Sequence, residues 1–292
     1  MDWIKGLQRA INYLESCLDD EADMEKAARE MNVSVFYFVR IFTIVCGVTP
    51  AEYVRNRRLS LAGSELAAGS IKVIDAAMKY GYNTPEGFAR AFSRFHGVTP
   101  YEVSRKNAPV RSYSPLTITI DVKGGKSMEY KIIEEPSFKV LEKAETHTVD
   151  DNANINSIPE FWDRAKADGT IDALVKSFKP GETEIYGICR GGQSEKSKTF
   201  EYAIACRCKD GCTPPEGFRI SEIPARTWAV FTCHGAMPGA IQQTWHRIIT
   251  EFFPSSDLVP TYEMDIEVYP EGDMLAEDYV SRIMVTVKRP EK

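Results

Sequence analysis

Laid on itself at an offset of 50 residues, the chain shows two copies of one unit: FVRIFTIVCGVTPAEYVR (Phe38 to Arg55) and FARAFSRFHGVTPYEVSR (Phe88 to Arg105). Phe38/Phe88, Arg40/Arg90, Phe42/Phe92, Gly-Val-Thr-Pro at 47–50 and 97–100, Glu52/Glu102 and Arg55/Arg105 are identical. The match extends upstream in character through Glu25/Asp75, Ala27/Ala77 and Ser34/Thr84. Each copy reads helix, turn, helix. Ser34 and Thr84 suit the N-cap of the second helix, and Pro85 suits its first position. Within that helix the phenylalanines stand at i and i+4 and face a core, while Arg40 and Arg90 project from another face. Gly47 and Gly97 end it, and Thr-Pro opens the next. AEYVRNRRLSLAGSELAAG reads as one continuous helix tying the copies together. Two reading helices at fixed separation reach successive major-groove segments about 34 Å apart.

The net charge of −6 argues against a polyanion partner until it is resolved along the chain. Residues 1–39 hold 4 basic and 8 acidic side chains, 40–106 hold 10 and 5, and the rest hold 22 and 29. The local excess is what a phosphate backbone feels, because screening limits the reach of the remainder to about 10 Å.

At 292 residues the chain exceeds the usual size of one domain. No stretch approaches the roughly 18 apolar residues of a membrane span, and the amphipathic N-terminus is no signal peptide, so a cytoplasmic protein with no membrane partner is expected. Seven cysteines suit reduced thiols. The C-x-C-x₃-C run at Cys206, Cys208 and Cys212 lacks the paired spacing of a metal site, and strand alternation turns Cys206 and Cys208 into core thiols. No phosphate loop, nucleophile elbow or dinucleotide fingerprint is present. We therefore expect no cofactor, no metal and no catalytic residues.

Residues 108–127 change character and read as a linker, with LTITIDV its one strand-like run. Beyond it, strand-like runs separated by two helical segments (157–169 and 239–253) predict an α+β half with a mainly antiparallel sheet. A weaker duplication shows there. Residues 129–145 and 217–234 both read strand, Pro turn, strand, and a helix carrying Trp162 or Trp245 follows each. The expected fold is an all-α tandem helix-turn-helix domain (1–107, units at about 20–48 and 70–98), then an α+β domain (128–292) with a duplicated strand-helix-strand unit.

The first half resembles the DNA-binding domain of the AraC/XylS transcription regulators, on the alanine-bearing short helices, the Phe-x-Arg-x-Phe core and the Gly-Val-Thr-Pro that follows. The resemblance implies that each second helix enters the major groove of double-stranded DNA. By position this gives Phe36, Val39 and Arg40, then Glu86, Gly87 and Arg90, as contact candidates. Arg40 and Arg90 are read either as guanine contacts, about 1–3 kcal/mol each, or as contacts to phosphate or an acidic neighbour. Val39 and Phe36 offer at best a thymine methyl contact. Arg57, Arg58, Arg94 and Arg105 are read as phosphate contacts or solvated surface.

The second half resembles the GyrI-like effector-binding domain, as joined to the Rob-type members of that family, on IPARTWAVFTCHG, QQTWHRIITEFFP and IEVY. The resemblance implies an aromatic pocket with one carboxylate for a small hydrophobic, cationic effector. Carried over by position, Glu267 is the carboxylate, Tyr269 points the same way along the strand, and Trp162, Tyr186 and Trp245 form the aromatic wall. The alternative for both tryptophans is ordinary helix-on-sheet core. Two other functions stay open: hydrolysis of small electrophiles with Glu267 as general base, or a protein-binding module gripping a partner such as RNA polymerase.

Overall fold

The computed structural model describes residues 2–119, 127–149, 153–191, 198–209 and 211–289. The chain divides into two compact units, Met1–Asp121 and Val122–Lys292. The first is helical: α1 (Asp2–Ser16), α2 (Met24–Arg29), α3 (Val35–Cys46), α4 (Pro50–Ala67), α5 (Val73–Lys79), α6 (Pro85–His96) and α7 (Pro100–Lys106). The caps fall where their residue types predict. Ser34 Oγ accepts the Tyr37 amide and Thr84 Oγ1 the Gly87 amide, and both Gly47 and Gly97 stop their helices at positive φ. Pairs α2–α3 and α5–α6 are the two helix-turn-helix copies, with α4 between them. Phe38, Phe42, Phe88 and Phe92 are all fully buried, and each contributes about 1.5–3 kcal/mol of apolar burial.

The copies differ in what they leave outside. Helix α6 buries only Phe88, Phe92 and His96. Helix α3 buries Val35, Phe36, Tyr37, Phe38, Val39, Ile41 and Phe42, since VFYFVRIFTIVC has one charged side chain and no polar face.

Residues past α7 lie along the first unit as an extended strap. The described part of LTITIDV, 116–119, forms no strand; residues 120–126 lie outside the described residues. Four strap amides are taken by helix side chains: Arg111 N–H by His96 Nδ1 (3.0 Å), Tyr113 by Ser60 (2.9 Å), Leu116 by the Tyr53 hydroxyl (3.1 Å) and Ile118 by Gln8 (2.8 Å). Side-chain acceptors thus replace a neighbouring strand. His96 is 4% exposed and also lies 2.9 Å from the Leu59 carbonyl through Nε2. Its ring occupies the space a Cβ on Gly63 would need, 2.6 Å from Cε1.

Burial lowers the His96 pKa below its ordinary 6.5; Arg111 adds to that, and the Leu59 contact opposes it. The unfolded chain therefore binds the proton more readily, and stability present above about pH 6.5 is lost as pH falls below it. Acidifying from about pH 7.5 to about 5.5 is expected to lower the unfolding midpoint of the helical unit. His96→Gln should flatten that slope in circular dichroism melts, and a native midpoint independent of pH would refute the assignment.

The second unit comprises β1 (Tyr130–Glu135), β2 (Phe138–Thr148), α8 (Ala153–Ala167), α9 (Thr170–Lys176), β3 (Ile185–Arg190), β4 (Thr199–Arg207), β5 (Arg219–Ile223), β6 (Arg226–His234), α10 (Gly239–Arg247), β7 (Val259–Tyr269) and β8 (Val280–Lys288). Helix α10 runs on through a wider π-type stretch, Ile248–Phe252. The strands form one antiparallel sheet in the order β1-β6-β8-β7-β3-β4-β2-β5. Two β-β-α-β-β repeats meet at the β3–β7 pairing, and each lends its first strand to the other, β1 to β6 and β5 to β2. Helices α8, α9 and α10 all contact one face of the sheet, at His147, Cys206 and Glu267. The other face carries Tyr186, Ile188, Trp228, Val230 and Ile266. Fully buried Glu142 lies there too, accepting from Arg190 (2.6 Å), Arg219 (2.8 Å) and Ser221 (2.6 Å). Among the described residues no single helix is long and apolar enough to cross a membrane.

Candidate functional site

The central pairing of the sheet sets Gly187 of β3 directly opposite Glu267 of β7, at equivalent places in the two repeats. One repeat supplies a carboxylate where the other supplies no side chain at all. A Cβ on Gly187 would lie 2.2 Å from the Tyr202 hydroxyl and 3.5 Å from Glu267 Oε2, so glycine is what admits Tyr202 to this point.

Three neutral donors converge on the carboxylate. Trp245 Nε1 donates to Oε1 at 3.0 Å, the Tyr269 hydroxyl donates to Oε2 at 2.8 Å, and the Tyr202 hydroxyl approaches Oε2 at 3.5 Å. Trp162 Nε1 donates to the Tyr202 hydroxyl at 3.0 Å and its ring meets Tyr269 edge-on, centroids 5.2 Å apart. Helices α8 and α10 thus bring one indole each to strands β4 and β7. Burial, and then the charge of Glu267, push the Tyr202 and Tyr269 phenols far above their ordinary value, which keeps both protonated as donors. Among the described residues no Lys or Arg forms an ion pair with Glu267. Glu267 and Trp162 are half-buried, while Tyr202, Tyr269 and Trp245 are at most 9% exposed. The carboxylate therefore sits among indole N–H and phenol O–H donors with no Lys or Arg paired to it among the described residues, and it stays half-exposed.

Glu267, Tyr269, Trp162 and Trp245 are brought together as expected from sequence. Tyr186 is not: it pairs with Val268, one residue from Glu267, and so sits on the opposite face in the core. Tyr202 and Gly187 were missed, although Tyr202 shares its strand face with Cys206, which alternation had already turned inward. Cys206 and Cys208 are buried, and burial raises the Cys206 thiol to about 12.

In the first unit Glu86, Arg90 and Arg94 are exposed along α6, Gly87 is half-buried beside them, and Arg40 is half-buried on α3. Phe36 and Val39 are buried, at 2% and 7% exposure, so neither presents the thymine-facing surface expected of it. Arg57 is no surface phosphate contact either. It is 8% exposed, binds Glu15 of α1 through Nε (2.8 Å) and Nη2 (2.9 Å), and donates to the Tyr113 carbonyl of the strap. That fork geometry makes it a structural clamp.

A family described as integron-associated effector binding protein matches residues 131–282, just over half of the chain, and one described as a helix-turn-helix domain matches residues 27–106. The HTH-type transcriptional regulator YbfP of Bacillus subtilis is 33% identical over 100 residues, 34% of this chain and 34% of YbfP, so the chain spans about a third of that relative's length. The regulatory protein SoxS of Salmonella typhimurium is 33% identical over 94 residues, 32% of this chain and 88% of SoxS. A solved structure, SAV2435 bound to tetraphenylphosphonium, is similar over 55% of this chain and 94% of its own at 23% identity and a TM-score of 0.49.

Proposed function

The chain belongs to the integron-associated effector binding family through its second half and to the AraC-type helix-turn-helix regulators through its first, and from that premise we propose that it is a DNA-binding transcription regulator whose cage around Glu267 takes a lipophilic organic cation. The cation's occupancy alters DNA binding, and with it initiation by RNA polymerase at the bound site. The observation that carries the effector class is the Glu267 carboxylate held by the neutral donors of Trp245 and Tyr269, with no Lys or Arg ion-paired to it among the described residues. A charge placed in an apolar site is costly without a partner, a ligand cation supplies the partner, and ring faces add about 0.5–2 kcal/mol of cation–π attraction. Exposed Glu86, Arg90 and Arg94 on α6 support the DNA reading.

The test is a titration of tryptophan emission with tetraphenylphosphonium and with neutral triphenylphosphine oxide, followed by DNA retention with and without saturating cation. Saturable quenching by the cation, at least about tenfold tighter than by the neutral compound, and a changed DNA affinity are expected. Equal binding of both compounds would overturn the cation assignment, and an unaltered DNA affinity would overturn the coupling.

Gly187→Ala gives a second expectation. The added methyl must displace the Tyr202 ring, and overpacking of this kind costs about 1–3 kcal/mol. Cation affinity should fall roughly tenfold, with Trp162 emission shifted in the free protein as its hydrogen bond to Tyr202 is lost. Native affinity in the variant would show that Tyr202 is dispensable.

A further inference from the structure

The two copies of the helical unit share a backbone pattern but present different chemistry at the same positions. The 50-residue offset sets Phe36 against Glu86, Arg40 against Arg90 and Ile44 against Arg94, along one stripe at i, i+4 and i+8. On α6 all three side chains are charged and exposed. On α3 Phe36 is buried with its ring edge-on to Tyr37, centroids 4.9 Å apart, and Arg40 and Ile44 are half-buried. Hydrogen-bonded readout in the major groove needs donors and acceptors at the base edges, and apolar side chains discriminate only the thymine methyl. Arg40 is the one hydrogen-bonding group on the α3 stripe. The charge follows the same division: residues 20–48 hold 3 basic and 5 acidic side chains, against 4 and 2 over residues 70–98. Phosphate attraction therefore also favours the second copy.

Resting on the DNA-reading function proposed above, we infer that sequence selectivity resides in α6, through Glu86, Arg90 and Arg94, and that α3 reads no bases. One chain then reads a single major-groove segment, and a site of two segments takes two chains. This departs from the symmetric reading that the repeat suggests, in which one chain spans both segments.

The experiment is selection from random duplexes with the full chain, its Arg90→Ala variant and its Arg40→Gln variant, each with its melting curve recorded by circular dichroism. The native protein should enrich one contiguous motif about a half-turn of duplex long, present once per bound chain. Arg90→Ala should lose roughly five- to 150-fold of the preference at one position of that motif. Arg40→Gln, melting as a folded protein, should enrich the same motif as the native chain. Glu86→Gln gives a second readout on α6, changing the base chosen at a neighbouring position. A native motif in two parts about 10 base pairs apart, with one part erased by Arg40→Gln, would overturn the inference while leaving the regulator reading intact. No motif from any of the proteins, with binding driven by salt alone, would overturn both.

Discussion

Glu267→Gln is expected to weaken tetraphenylphosphonium binding by about 30-fold or more while leaving the affinity for neutral triphenylphosphine oxide within about twofold. Truncating one partner of a desolvated charge pair costs about 2–5 kcal/mol, and each 1.4 kcal/mol is a factor of ten. The amide preserves shape: its one oxygen still accepts from Trp245, and the Tyr269 hydroxyl turns to accept from the amide N–H, so the loss reports charge. The half-exposure of Glu267 places the effect near the lower end of the range. The measurement is fluorescence titration with Trp162 and Trp245 as reporters. A variant that binds cation as the native chain does would mean that the rings alone hold the ligand. A variant that loses the neutral compound as well would mean that the cage has collapsed.

Glu142→Ala is expected to destabilise the second unit by about 3 kcal/mol. Glu142 is wholly buried and collects Arg190, Arg219 and Ser221 from β3 and β5 onto β2. Removing one member of a buried ionic set costs about 3–5 kcal/mol, because the remaining charges stay desolvated without a partner. Arg190 and Arg219 both keep Glu201, and the Arg219 side chain is 52% exposed, which holds the figure at the low end. Glu201→Ala, at a site whose side chain is 30% exposed, should cost about 1 kcal/mol or less. Urea unfolding followed by tryptophan emission, three of whose four sources (Trp162, Trp228 and Trp245) lie in this unit, reads both. Equal losses in the two variants would show that burial does not set the difference.

Local chemistry made the helical half legible. Caps, the Phe i/i+4 pairs and the glycine stops act over a few residues, and the repeat printed them twice. Four of the five side chains expected to line one pocket lie together: resemblance pointed to Glu267, strand parity to Tyr269, and the weaker duplication to both tryptophans. Tyr186 failed on the same parity rule. Within a strand alternation gives relative orientation, but which face each strand turns inward depends on register with its neighbours, here Gly187 opposite Glu267 and Tyr186 opposite Val268. Gly187 and Tyr202 meet Glu267 from other strands, and no local signal in the sequence joins them. Phe36 and Val39 were legible in kind, as apolar residues, but were assigned by analogy with a groove-facing position. Arg57 was misjudged because its partners, Glu15 on one side and Tyr113 of the strap on the other, lie far off in sequence.

The strap bears on how such chains are assembled by recombination. A crossover placed after α7, where the helical repeat ends, would sever the extended segment from the helices that receive its amides. His96, Ser60, Tyr53 and Gln8 would each lose an incoming donor, and Arg57 would lose the Tyr113 carbonyl. A crossover past Ile118 leaves every one of these bonds inside the transferred piece. The portable form of this reading head therefore includes its strap. Foreign sensing domains should graft onto it cleanly from that point onward.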